Sequence, residues 1–127
     1  MIAKNNDSCL NESQEALTPE ARTKRIRIFN DSLRKHGWGG KVLITNGIMA
    51  MGTDFAGAVL KAVQEFDSFS DDNDPWGEHD CSSLVVMHRR VLWKIDYYDK
   101  DGVYHSPDPS SNKLTLRILT IMLSEEY

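Results

Sequence analysis

The chain is poor in the residues that usually announce a chemistry. Of its 127 residues only two are cysteine, Cys9 and Cys81. Neither sits in a CxxC or other metal-type spacing, so both are read as free thiols rather than as parts of a zinc module or a disulfide scaffold. Proline is scarce, at four residues, and eight glycines follow no period, which excludes collagen-like and low-complexity chains. No apolar run approaches the ~18 residues that cross a bilayer. The stretch after Met1, MIAKNNDSCLNESQE, has no apolar h-region, so no secretory signal is read there. The expected setting is a reduced cytoplasm, with no membrane partner. P-loop, GxGxxG, HExxH and GxSxG patterns are all missing, which removes the usual support for nucleotide, zincin and hydrolase-elbow chemistry. No cofactor is implied. There is also no basic excess: 15 Lys and Arg stand against 19 Asp and Glu, and that balance argues against a general nucleic-acid binder.

What is present is one domain's worth of ordinary globular composition, 40% hydrophobic and 27% charged. Residues 1–17 are polar without a period of 2 or 3.6 and are expected to form a flexible tail, leaving one domain over 18–127. Thr18-Pro19-Glu20 reads as a helix start and Gly37 as its stop. Ile26, Phe29 and Leu33 give that helix one apolar stripe, and Ile28 off the stripe suggests a second buried face. Lys41–Thr45 is β-branched and reads as a strand, with Asn46-Gly47 a turn or bulge. A second helix begins near Thr53 or Asp54 and places Phe55, Val59, Ala62, Val63 and Phe66 on one face. Ser83–His88 and Val91–Tyr98 read as a hairpin turning near Arg89-Arg90. Residues 99–113 are a loop, and Leu114–Leu123 is expected to be a strand buried on both faces. The order α-β-α-β-β-β predicts an α+β fold: a single antiparallel-rich sheet of about four strands with two helices packed on one face.

Charge is segregated. Between Glu65 and Asp80 lie seven carboxylates and no Lys or Arg, whereas residues 22–41 hold Arg22, Lys24, Arg25, Arg27, Arg34, Lys35 and Lys41 against the single Asp31. The acidic stretch centres on Asp71, Asp72, Asn73, Asp74, Pro75, Trp76, Gly77, Glu78, His79 and Asp80. It has three readings. Asp and Asn cap helices and build Asx-turns, so the loop can be purely architectural, with Asn73, Asp74 and His79 satisfying backbone groups. It can instead be an acidic recognition surface for a basic protein partner, with Trp76 as aromatic anchor. Or Glu78, His79, Asp80 and, from the following strand, Asp96 can converge to hold a cation and activate water, as in a metal-dependent hydrolase or nuclease. The spacing matches no EF-hand. Lys94 and Asp96 share a strand face and can pair with this loop. His79 and Cys81, two apart on a strand, would point the same way, but no oxyanion-hole signature accompanies them, and Cys81 is expected to be a small buried residue. The basic helix lacks aromatic interleaving and a helix-turn-helix pattern, so nucleic acid is not favoured.

The segments Asn73–Asp80, Trp93–Asp99, Ser106–Pro109 and Arg117–Leu123, in that order, resemble an uncharacterised bacterial family, the domain of unknown function numbered 3768. The resemblance runs from about Arg25 to Tyr127. It departs after Glu78-His79-Asp80, where Cys81-Ser82 replace the family's Phe-Gly. It implies a compact domain and an accessory protein of chromosomes, plasmids or prophages, and brings no activity with it. The function read from the whole is a small non-enzymatic interaction protein, such as an anti-CRISPR-like inhibitor of host defence. Its acidic residues Asp71, Asp72, Asn73, Asp74, Glu78, Asp80 and Asp96, with Trp76 and His79, would meet a basic surface. The metal-dependent enzyme is the alternative.

Overall fold

A computed structural model describes residues 17–127. Of the tail expected over 1–17, all but Leu17 lies outside the described residues. Helix α1 spans Pro19–His36. Thr18 accepts a hydrogen bond from the Ala21 N–H at its N-terminus, and Gly37 closes the other end at φ 74, its N–H donating to Leu33. Both ends follow from residue chemistry: a hydroxyl satisfies an orphan amide, and only glycine takes the left-handed conformation at no steric cost. Strand β1 (Lys41–Ile44) follows. The residues expected to turn or continue the strand instead form a one-turn helix, α2 (Asn46–Met49). Helix α3 spans Thr53–Glu65. Strands β2 (Cys81–Val86), β3 (Arg89–Tyr98) and β4 (Leu116–Leu123) complete the sheet, and a 3₁₀ turn follows at Ser124–Glu126.

The sheet order is β1-β4-β3-β2, with β1 parallel to β4 and the other pairs antiparallel. The α+β architecture expected from the sequence is therefore present, with α2 added. Alternation divides the sheet into two faces. Val91, Trp93 and Ile95 of β3 and Leu119, Ile121 and Leu123 of β4 are buried with Leu33, Ile48, Phe55, Val59 and Val63 from the helices. All helices therefore cover one face. No helix of the described residues is long and apolar enough to cross a membrane.

Three expectations need correction. The β2–β3 hairpin turns at Met87-His88, two residues before Arg89-Arg90, and both turn residues have positive φ (49 and 69). That is the sign a two-residue hairpin turn of the primed type demands, and it is adopted here without Asn or Gly. The pairing of Val86 with Arg89 fixes it. Strand β4 is not buried on both faces. Arg117, Leu119, Ile121 and Leu123 point to the helices, while Leu116, Ile118 and Thr120 are half-exposed on the open face and only Met122 there is buried. Finally, Ile28 is 46% exposed, and the second buried face of α1 is polar, made by Asn30 and Arg34.

The turn yields a prediction. Left-handed backbone at a non-glycine residue costs on the order of 1 kcal/mol. Met87→Asn with His88→Gly should therefore raise stability by about 1 kcal/mol, read as a higher urea midpoint at unchanged slope. A lower midpoint would show that the native side chains do more than turn the chain.

Candidate functional site

The acidic loop, residues 66–80, runs from the end of α3 to the start of β2, and its geometry is set by α1. The Arg27 guanidinium donates to the Gly77 carbonyl at 2.8 Å. The Asn30 amide donates to the Glu78 carbonyl at 3.0 Å and to the Tyr97 hydroxyl at 2.8 Å, and its oxygen accepts from Arg117 at 2.8 Å. Arg117, fully buried on β4, also donates to the Pro109 carbonyl at 2.6 Å. The Tyr97 hydroxyl in turn donates a hydrogen bond to Glu78 Oε1 at 2.7 Å. Asn30 is 0% exposed. An unsatisfied amide there would be costly, and here both its ends are used.

One turn further along α1, Arg34 lies buried beside Phe69 and Trp93, its guanidinium carbon 5.3 Å and 5.2 Å from their ring centres. It donates to Asp31 and to the Phe66 carbonyl, both at 3.0 Å. The second of these satisfies a carbonyl just past the end of α3, where the helix leaves acceptors without amides. Asp31 in turn meets His79 Nδ1 at 2.9 Å. His79 stacks flat on Phe69, centroids 3.7 Å apart, and its Nε2 lies 3.5 Å from Asp74. Asp74, 8% exposed, also accepts the His79 N–H at 3.0 Å. These contacts hold His79 at φ 55, a conformation that costs a non-glycine residue on the order of 1 kcal/mol or more. Asn73 satisfies backbone groups of the loop, as the architectural reading expects, but by reaching backward rather than by an Asx-turn: its side chain accepts from the Ser70 N–H and donates to the Ser68 carbonyl, each at 2.8 Å.

The nine sequence-selected residues therefore separate. Glu78 is joined to α1 and β3, His79 to α1, and Asp74 to His79. Asp71, Asp72 and Trp76 stand in solvent, Trp76 at 77% exposure. Lys94 and Asp96 pair with each other at 2.5 Å. With Asp80, Asn73 and Cys81 they line an open cavity of about 510 Å³ on the uncovered face of the sheet. Glu78, His79, Asp80 and Asp96 do not meet at one point. Glu78 and His79 turn toward the helix layer, Asp96 lies on the opposite face of β3 from Tyr97, and among the described residues no group of three or more His, Cys, Asp or Glu is placed to hold a metal ion. The expected His79–Cys81 alignment also fails, because β2 begins only at Cys81 and His79 sits in a left-handed turn. Cys81 is exposed rather than buried.

Burial and the neighbouring charge of Glu78 push the Asp80 carboxyl above its ordinary range. Burial and the Asp80 charge likewise raise the Cys81 thiol, which disfavours a reactive thiolate. Burial also raises Tyr97, where the Glu78 hydrogen bond outweighs nothing on its own but adds to the same direction. The hydrogen bond to Asp96 raises Lys94.

Residues 44–126 match the family model described as Protein of unknown function (DUF3768). The chain belongs to this family. The match begins at the last residue of β1, so the family segment contains the loop with Asp74, Glu78 and His79, and also Tyr97 and Arg117. The partners on α1, namely Arg27, Asn30, Asp31 and Arg34, precede it. No curated protein and no solved structure matches the chain. Sequence reading missed Asn30, Arg34 and Arg117 as partners of the loop. Their only signal was polar residues spaced i, i+4 on a helix and an Arg at an inward strand position.

Two predictions follow from the contacts. Asn30→Ala leaves Arg117, Tyr97 and the Glu78 carbonyl short of a partner in the interior and should cost about 2–4 kcal/mol, measured by urea unfolding. Asp80 has a folded pKa raised above its unfolded value of ~3.9, so its ionised form is disfavoured in the fold. Its penalty is present at neutral pH and disappears as pH falls below the unfolded value. Asp80→Asn should therefore be more stable than the parent at pH 7, with the gain shrinking toward about pH 4. A gain that persists unchanged in acid would contradict this electrostatic origin.

Proposed function

We propose that the protein is a non-enzymatic interaction module of the cytoplasm that presents Trp76, with Asp71 and Asp72, to a basic surface of a protein partner. One observation supports this reading above others. A loop fixed by part-buried polar contacts holds a tryptophan 77% exposed, and the same loop carries the exposed carboxylates Asp71 and Asp72. A large aromatic ring in water carries an unrealised burial free energy of roughly 2–3 kcal/mol, and tryptophan is favoured at interface centres. Because the loop is preorganised, little conformational entropy is lost on docking. Asp74, Glu78 and His79 act on the inner side, as the supports of this surface. Asp80 and Asp96 extend the acidic region toward the open sheet face. An accessory role on a mobile element, as in anti-CRISPR inhibition, would make the partner a protein whose basic surface normally handles nucleic acid.

The test is affinity capture from the native host with the parent chain, Trp76→Ala, and Asp71→Lys with Asp72→Lys. These positions are exposed, so the variants should keep the parent's circular dichroism and melting temperature. A partner held by the parent should elute as salt rises from about 50 to about 300 mM, since the Debye length shortens over that range. Both variants should lose it at least tenfold, or about 1.4 kcal/mol. Equal capture by the folded variants, or retention indifferent to salt, would overturn the reading.

A further inference from the structure

Past the C-terminal end of α1 the chain builds a corner of one charge. Residues 32–53 and 109–124 contain no Asp or Glu, and the fold brings the two stretches together. Gly39, at φ 84, passes so close to the loop before β4 that a Cβ there would lie 3.3 Å from the Asn112 amide, and a Cβ on Gly40 would run into the Arg117 carbonyl. Glycine permits this approach of two backbones. It carries Lys113 to the same corner as Lys35, His36 and Lys41, and all four residues are exposed. The carboxylate nearest along α1, Asp31, is engaged by Arg34 and His79.

An aromatic stack stands among these cations. Trp38 is 66% exposed, and the His36 ring lies against it with centroids 4.5 Å apart and planes 30° apart. The backbone beneath is fixed: the Gly37 N–H donates to the Leu33 carbonyl at 2.8 Å and the Trp38 N–H to the Ser32 carbonyl at 3.4 Å. His36 covers one face of the indole and leaves the other to solvent. A shallow cavity of about 300 Å³, lined by Ile28, Asp31, Ser32, Lys35 and His36, adjoins the stack.

We infer that this corner binds single-stranded nucleic acid, with a base on the open face of Trp38 and the flanking phosphates against Lys35, Lys41 and Lys113. An unpaired strand repeats two groups, a flat base and an anionic phosphate, and the corner offers a partner for each. Bases stack on an aromatic ring whatever their sequence, and ammonium groups beside the ring track the backbone. In a duplex the base faces are closed, so the stack selects unpaired strands. An acidic peptide would use the lysines and leave the indole face idle. An anionic bilayer takes up apolar side chains beside its cations, whereas this ring is stacked on a polar imidazole. The basic helix has no interleaved aromatics of its own; the ring comes from the turn that follows it. The acidic excess of the whole chain resides elsewhere, and at about 0.1 M salt screening limits its reach to about 10 Å. The surface is distinct from the Trp76 loop, which is tied to α1 at Arg27, and the two readings stand or fall separately.

The test is the fluorescence anisotropy of a labelled oligothymidylate of about 15 nucleotides, titrated with the full chain at about 50 mM salt. Saturable binding with a Kd of about 1–100 μM is expected, the range of sequence-independent contacts. Three neutralised phosphates give a log–log salt slope near about −2, since each contributes about 0.7 on a single strand. Lys35→Ala, Lys41→Ala and Lys113→Ala should each flatten that slope by about 0.7. Trp38→Ala should weaken binding about tenfold at unchanged slope, because stacking releases no counterions. The oligonucleotide should quench the tryptophan emission of the parent and not that of Trp38→Phe. These positions are exposed, so the variants should keep the parent's circular dichroism. The same strand annealed to its complement should bind several-fold more weakly. Absence of binding at about 300 μM protein, indifference to Trp38→Ala, equal affinity for the duplex, or tighter binding to polyglutamate or to vesicles of anionic phospholipid would each overturn the proposal.

Discussion

The molecule is organised around the polar side of one helix. Asn30, Asp31 and Arg34 of α1 face inward and supply hydrogen bonds to a loop, two strands and the end of another helix. A buried guanidinium or amide is tolerable when most of its polar atoms have partners, and Arg34 leaves its Nε without one. That requirement works in both directions. Arg34 obliges the α3 terminus, Asp31 and the two aromatic rings to be where they are, and Asn30 ties Arg117 and Tyr97 to the Glu78 backbone. Buried polar sets of this kind gain less in net stability than apolar packing of equal volume, and specify geometry instead. Here the geometry specified is the path of residues 66–80.

That path explains how a loop with so many carboxylates holds together. Like charges repel, and in a free loop they would drive one another apart. The conflict is resolved by sorting. Asp74 and Glu78 are absorbed by His79 and Tyr97, whereas Asp71 and Asp72 keep their hydration. Arg27 anchors the backbone near the tip at Gly77. Trp76 is left in water by a loop whose two flanks are tied down. The sheet behind it makes a second division, with one face sealed by the helices and the other open around the Lys94–Asp96 pair.

Much of the fold could be read from local pattern. The caps of α1 rest on Thr18 and Gly37, whose chemistry acts within four residues. The alternation of Val91, Trp93, Ile95 and Tyr97 with charged neighbours marked β3 as half-buried. The Met87-His88 turn could not be read in that way. Its residues have no preference for positive φ, and the turn exists because the apolar registers of β2 and β3 agree on that position. Leu116–Leu123 misled for the opposite reason: its outward residues are apolar by composition although half-exposed in place. In the site, the loop and its aromatic tip were visible as a composition shift. The partition of its carboxylates was not, because the partners lie about 50 residues away on α1 and carry no motif.

By itself the sequence determined the types and order of the two long helices and four strands, the segregation of charge and the family, since each depends on residues near in the chain or on their pattern along it, while the one-turn helix α2 went unread. Tertiary structure decided which carboxylates turn inward, where Cys81 and Trp76 stand relative to solvent, and which strand was left at the edge. Those outcomes depend on contacts between residues distant in the chain, where burial favours a partner for a polar group and no local preference can name it.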